Sequence, residues 1–145
     1  MKKIICVAMM MVTMLCSSVC LAYPVSYTNY VDASLYYTGA IIDCRGLGLQ
    51  TAMSPVIRAD NGKIIYSRAS LDHDLIASQD VVGYAKNFND PAVRRAGDFP
   101  VIFKAVGLTN DNTCPVIDIT DSLLLNVSSL HYNYLAYGSV VLIKD

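Results

Sequence analysis

The sequence predicts an α+β domain: a mostly antiparallel sheet with two or three helices packed on one face. Three observations predict it. Short β-prone runs outnumber helical ones along the 145 residues. Asn61-Gly62 sits between two such runs, and this pair favours a type I′ hairpin because both residues accept positive φ. From Thr120 to Gly138, apolar residues fall at helical spacing.

Residues 1–22 read as a signal peptide. Lys2 and Lys3 precede the uncharged run IICVAMMMVTMLC, and cleavage after Ala22 puts small residues at −3 (Cys20) and −1. The apolar run is short of the roughly 20 residues a membrane span requires. Leu15 and Val19 stand before Cys16 and Cys20 where a lipidation motif wants a small residue, so cleavage at Ala22 is preferred over a lipid anchor. Residues 23–145 then form a single domain, long enough for a core without metal.

Residues 23–34 are polar and tyrosine-rich, an extended lead-in. Tyr36–Arg45 reads as a strand with Thr38, Ala40, Ile42 and Cys44 on one face and Gly39, Ile41, Asp43 and Arg45 on the other. Strands at Val56–Asp60 and Lys63–Ser67 flank Asn61-Gly62. Ser70 is placed to cap a short helix through Gln79, ended by Gly83. Asp90, Pro91 and Gly97 repeat that grammar as cap, first helical residue and stop. FPVIFKAVGL is a strand closed by the turn-rich TNDNTCP, and Val116–Ile119 is a shorter one. Thr120 caps the last helix, whose core face is Leu123, Leu124, Val127, Leu130, Tyr134 and Leu135. SVVLIKD ends the sheet.

Composition narrows the chemistry. The formal net charge is −1, all twelve acidic residues are Asp, and no basic patch points to nucleic acid. Of five cysteines, three leave with the signal. Cys44 and Cys114 remain, either bridged, as an exported compartment allows, or as two separate buried thiols. Gly46 and Gly48 share a G-x-G core with phosphate loops. The third glycine and the P-loop Lys-Ser/Thr are absent, however, so the pair reads as a tight corner that buries Leu47 and Leu49. His73 lies between Asp72 and Asp74, but successive helical residues diverge by about 100°, which does not build a metal site. Asp43 and Arg45 read first as a same-face pair holding the corner. The second reading makes Asp43, Arg45 and His73 a small-ligand or hydrolase site. The chain has ten tyrosines, clustered at Tyr23–Tyr37 and Tyr132–Tyr137 apart from Tyr66 and Tyr84, a composition that suits an interface.

YTGAIIDCRGLGLQTAMSPVI followed by DNGKIIY resembles the motif YTGLIIDARGLGLKPAMSPRI, then D-x-x-G-x-x-IY, of poorly characterised exported bacterial proteins, some related to the lipoprotein-twenty group. VVGYAKN, VIFKAVGLT, VIDITD and VVLIKD resemble the downstream segments. Cys44 stands where Ala is usual, Thr51 where Pro is usual, and DITDSLLL replaces an Asn/Asp-Ala-Asp run. The resemblance implies a periplasmic or envelope location, with surface structures as neighbours, and it brings no catalytic residues. It also implies that Cys44 is a small buried residue rather than an obligatory half-cystine.

The functional expectation is an exported, non-enzymatic binding or structural module without cofactor or metal. Its weak contact set is Asp43, Arg45, Gly46 and Gly48. Its partners are an envelope protein or surface component rather than nucleic acid, and no membrane span is expected after cleavage.

Overall fold

Gly39–Asp43 (β1) is buried at every position, and its two flanking neighbours both run parallel to it. This strand opens the computed structural model, which describes Tyr27 and residues 31–145; the expected signal peptide lies outside the described residues. The remaining strands are Ile57–Ala59 (β2), Ile64–Tyr66 (β3), Gly83–Ala85 (β4), Pro100–Lys104 (β5), Gly107–Thr109 (β6), Cys114–Ile117 (β7) and Val140–Ile143 (β8). They form two four-stranded sheets, ordered β4-β8-β1-β5 and β3-β2-β7-β6.

The expectation of a mostly antiparallel sheet with two or three helices is overturned. The first sheet is wholly parallel. The second joins two antiparallel hairpins through a parallel β2–β7 pair. The described residues contain one α-helix, Ile119–Ser128 (α1), and two 3-10 segments at Arg68–Ser70 and Pro91–Ala96. The reason lies in burial. A parallel strand inside the sheet is covered on both faces and reads as a near-continuous apolar run, as GAIID and VVLI do, while PVIFK at the sheet edge alternates buried and half-buried residues. The predicted division of β1 into two faces holds, yet neither face meets solvent. Ala40, Ile42 and Cys44 join the main core with Phe103, Leu142, Ile57, Tyr66 and Leu125. Ile41 joins a second cluster with Ala85, Ala96, Val141 and Ile143, against the Pro91–Ala96 segment.

The local signals fared unevenly. The β2–β3 hairpin forms, but Gly62 alone takes a left-handed φ of +85°, so the turn is not type I′. The run FPVIFKAVGL breaks at Ala105-Val106 and feeds both sheets, because Ala105 N–H bonds Asp43 O and Val106 N–H bonds Val116 O. β6 and β7 then form a hairpin whose tip holds Asn110, Asp111 and Asn112 at φ of 55°, 55° and 62°, residues that tolerate the left-handed region.

The Ser70–Gln79 helix is absent. Ser67 caps Arg68–Ser70, Ser70 returns a bond to the Ser67 N–H, and the chain then turns to let Asp72 N–H reach Ala136 O. Asp90, Pro91 and Gly97 act as predicted, around a 3-10 segment rather than an α-helix. α1 is capped by Asp118 instead of Thr120 and ends ten residues before Gly138. Its buried face is Ser122, Leu125 and Ser128, with Leu124 and Val127 half-buried and Leu123 and Leu130 exposed. Ser122 and Ser128 donate back to the carbonyls of Ile119 and Leu125, which weakens a helix, and the buried Ser128–Tyr134 hydroxyl pair anchors the loop that replaces its last turns. Among the described residues no helix is long and apolar enough to cross a membrane.

Candidate functional site

The four parallel strands end at one edge of the first sheet, and each is followed or closed by a cation. Lys104 closes β5, Arg45 lies two residues beyond β1, Lys86 follows β4 and Lys144 follows β8. The edge of an open parallel sheet where its strands terminate is where ligands usually bind.

Asp43 is buried, at 3% exposure, and its carboxylate is fully engaged. Arg45 grips it with two side-chain bonds, Nε to Oδ1 at 2.9 Å and a second guanidinium nitrogen to Oδ2 at 2.7 Å. The Arg45 backbone N–H reaches Oδ1 at 3.1 Å, and the Tyr27 hydroxyl donates to Oδ2 at 2.7 Å. Burial pushes the Asp43 carboxyl up, but the bonds from Arg45 and Tyr27 outweigh it and hold the group at about 2. The Arg45 guanidinium, its side chain 38% exposed, lies over the Phe88 ring at 5.1 Å and is held charged by Asp43. The same-face pairing of Asp43 and Arg45 is thus present, with the carboxylate sealed inside rather than presented. A carboxylate with all these donors in place has no lone pair poised for a substrate proton.

Gly46 and Gly48 take φ of +80° and +77°, and a Cβ at either would meet nothing within 4 Å. Their role is therefore conformational: they turn the chain and make no close approach to another group. Gly46 N–H bonds the Asp145 side chain at 2.6 Å, which ties the corner to the end of β8. Leu49 is buried as expected, whereas Leu47 is 37% exposed. The Tyr84 hydroxyl donates to Ala52 O at 3.1 Å and accepts Ala52 N–H at 3.0 Å, fixing the segment that follows.

Cys44 and Cys114 are both free and buried. Cys44 packs in the main core, and Cys114 Sγ accepts the Val56 N–H at 3.4 Å. Burial, reinforced by the Asp43 charge, pushes the Cys44 thiol up to about 12. Without reductant, Cys44 and Cys114 should both react with iodoacetamide in denaturant, and Cys44 should stay unmodified at pH 8 in the folded protein. Peptide mass mapping checks both, and rapid native alkylation of Cys44 would contradict this burial.

His73 is not brought to this site. It is exposed on the turn whose Asp72 N–H bonds Ala136 O, while Leu71 packs at Gly138, just before β8 begins. Asp43 pairs with Ile143 at the other end of that strand. Among the described residues no group of three His, Cys, Asp or Glu is placed to hold a metal ion.

Sequence reasoning missed a second feature of this edge. A cleft of about 240 Å³ is lined by Thr51, Tyr84, Ala85, Lys86, Asp90, Lys144 and Asp145. Its residues come from four separate stretches of chain, and only the unforeseen β4–β8 pairing joins them. The signal was present in YAK and LIK, two apolar strand ends that each release a lysine.

No curated protein matches the chain. Residues 39–145, from the first residue of β1 through both sheets and α1, match the family model of the second domain of Treponema pallidum Tp0624, and the chain belongs to that family.

Proposed function

We propose that this domain is an exported, non-enzymatic module of the bacterial cell envelope that works by binding a protein partner. The observation that carries the reading is a run of exposed aromatic and apolar side chains beside α1. Leu130 is 72% exposed and Tyr36 68%, with Tyr132 and Tyr137 about half exposed. Two ring pairs lie within this run. Tyr36 packs on His131 at 5.0 Å between ring centroids, and Tyr132 meets Tyr137 at 5.9 Å. His131 Nε2 is tied to Ala33 O, which fixes the Tyr36 side of the run. Tyrosine presents large contact area with a polar tip, the composition of a recognition surface rather than of a core. The locked Asp43 carboxylate supports the same reading, since its partners hold a corner together. The secretory pattern of residues 1–22 supports export, and the quoted motif supports the finer relation to lipoprotein-twenty proteins.

The test is a paired substitution. Leu130→Asp with Tyr132→Asp should alter stability by no more than about 0.5 kcal/mol per site, since both side chains are exposed. It should remove crosslinks that the unaltered protein forms in intact envelopes. Crosslinks that survive unchanged in the folded variant would refute this surface.

A further inference from the structure

We propose that the cleft between the ends of β4 and β8 is a seat for a phosphate group, gripped by Lys86 and Lys144. The two strands are parallel neighbours, with Ala85 beside Ile143 and Lys144 N–H bonded to Ala85 O. Lys86 and Lys144 are the next residues on each strand. Residues abreast on adjacent strands project from the same face, so the two ammonium stems leave side by side on the face that carries Tyr84. Like charges placed abreast destabilise a sheet unless an anion sits between them.

Both carboxylates in the cleft accept backbone N–H groups, and Asp90 lies close enough to Lys86 to offset part of its charge without forming an ion pair. Asp90 caps the Pro91–Ala96 segment through Ala92 N–H at 2.9 Å and accepts the Lys86 backbone N–H at 3.0 Å. Asp145 accepts Gly46 N–H. Among the described residues the one ion pair is Arg45–Asp43, so neither lysine has a carboxylate at ion-pairing distance. Lys144 is also half-buried, which raises the cost of leaving its charge without a counter-ion.

The geometry selects phosphate over carboxylate. A planar carboxylate is best met by the fork of an arginine, and the arginine at this edge is already closed on Asp43. Two lysines are separate point charges that can approach a tetrahedral dianion from two sides. The Thr51 side of the cleft would receive whatever the phosphate carries. The phosphate could belong to a free phosphomonoester or to a lipid headgroup, and the experiment separates the two.

The full chain is titrated by calorimetry with inorganic phosphate and with glycerol 3-phosphate, and sedimented with vesicles of phosphatidylglycerol or of phosphatidylcholine alone. Lys86→Met, Lys144→Met and the double variant are compared with Lys63→Met at the distant β2–β3 turn. Methionine keeps the apolar stem and removes the charge. Saturable binding of either soluble probe, weakened at least about tenfold in the double variant and unchanged in K63M, supports a seat for free phosphomonoesters. Binding to phosphatidylglycerol vesicles alone, with the same variant pattern, supports a headgroup seat. The proposal is overturned if no probe binds, or if K63M weakens binding as much as the cleft variants do. Thermal unfolding of each variant shows that a loss of binding is not a loss of fold.

Discussion

Replacing Gly39 by Ala should destabilise the domain by about 3 kcal/mol or more, enough to leave little folded protein at 37 °C. A Cβ at Gly39 would lie 2.4 Å from Ala96 O, 2.5 Å from Ser139 O and 2.7 Å from Ala96 Cα. All three atoms are backbone, so no rotamer change relieves the clash. The contact cannot open cheaply, because it is fixed on each side. Thr38 Oγ1 donates to Ala96 O at 2.8 Å and accepts the Phe99 N–H at 2.9 Å, while Ala40 N–H bonds Ser139 O. Gly97 adds a second constraint, since its φ is +77° and a Cβ there would meet Thr38 Oγ1 at 2.5 Å. The Thr-Gly at the start of β1 is therefore the point where the 3-10 segment is pressed onto the sheet. Gly107→Ala is the control, because a Cβ at that position meets nothing within 4 Å. The unfolding free energy from urea titration should fall steeply for G39A and change by less than about 1 kcal/mol for G107A. Equal midpoints for the two variants would show that the 3-10 segment can shift away.

The same node shows which parts of the structure the sequence could reveal. The β1 and β8 strands, the Asn61-Gly62 hairpin, the Asp90-Pro91 start and the glycine corner are local and readable from a few neighbouring residues, whereas β4 is hidden behind a Gly83 that reads as a helix stop and FPVIFKAVGL reads as one strand where there are two. Pairing direction was not readable either. β1 bonds β5 and β8, which lie far along the chain, and nothing within GAIID specifies which strand covers it. The strong hairpin signal therefore drew the reading toward antiparallel pairing, although that hairpin belongs to the second sheet. The clue that pointed the other way was the absence of polar residues on either face of VVLI and GAII, since a half-solvated antiparallel strand would alternate. α1 misled for a related reason. Its apolar residues follow a helical period, but two serines take buried positions and satisfy themselves locally, which turns Leu123 outward. At the site, the Asp43–Arg45 pair was legible because it spans two residues. The Lys86–Lys144 cleft was not, because it exists only once β4 lies beside β8.

Acid should expose the Asp43 lock. The carboxyl is held at about 2 in the folded chain against an ordinary value of 3.8, so the unfolded chain takes up its proton first as pH falls. The stability contributed by the lock is then complete above about pH 4 and is lost as pH drops toward 2. The shift itself corresponds to roughly 2 kcal/mol, and solvent at the partly exposed Arg45 reduces it to about 1–2 kcal/mol. Other groups also titrate in this window. Asp32 and Asp90 are lowered by bonds from Ser34 and from Ala92 and Lys86, so they lose stability in the same direction, while burial raises Asp121 and gives the opposite sign. The pH profile of the unaltered protein alone therefore cannot identify Asp43, but its difference from Asp43→Asn can. At pH 7 the Asn variant should be less stable by about 2–3 kcal/mol, because an amide NH₂ would face the donors of Arg45 and Tyr27. Between pH 4 and 2 the gap should narrow by about 1–2 kcal/mol as the carboxylate of the unaltered protein is protonated. Arg45→Gln should show the same convergence, and the double variant should cost less than the two singles combined, since each single strands the other partner. Parallel profiles for the unaltered and Asn proteins would mean that Asp43 is not held ionised, and the corner would then be held by the Gly46–Asp145 and Ala52–Tyr84 bonds instead.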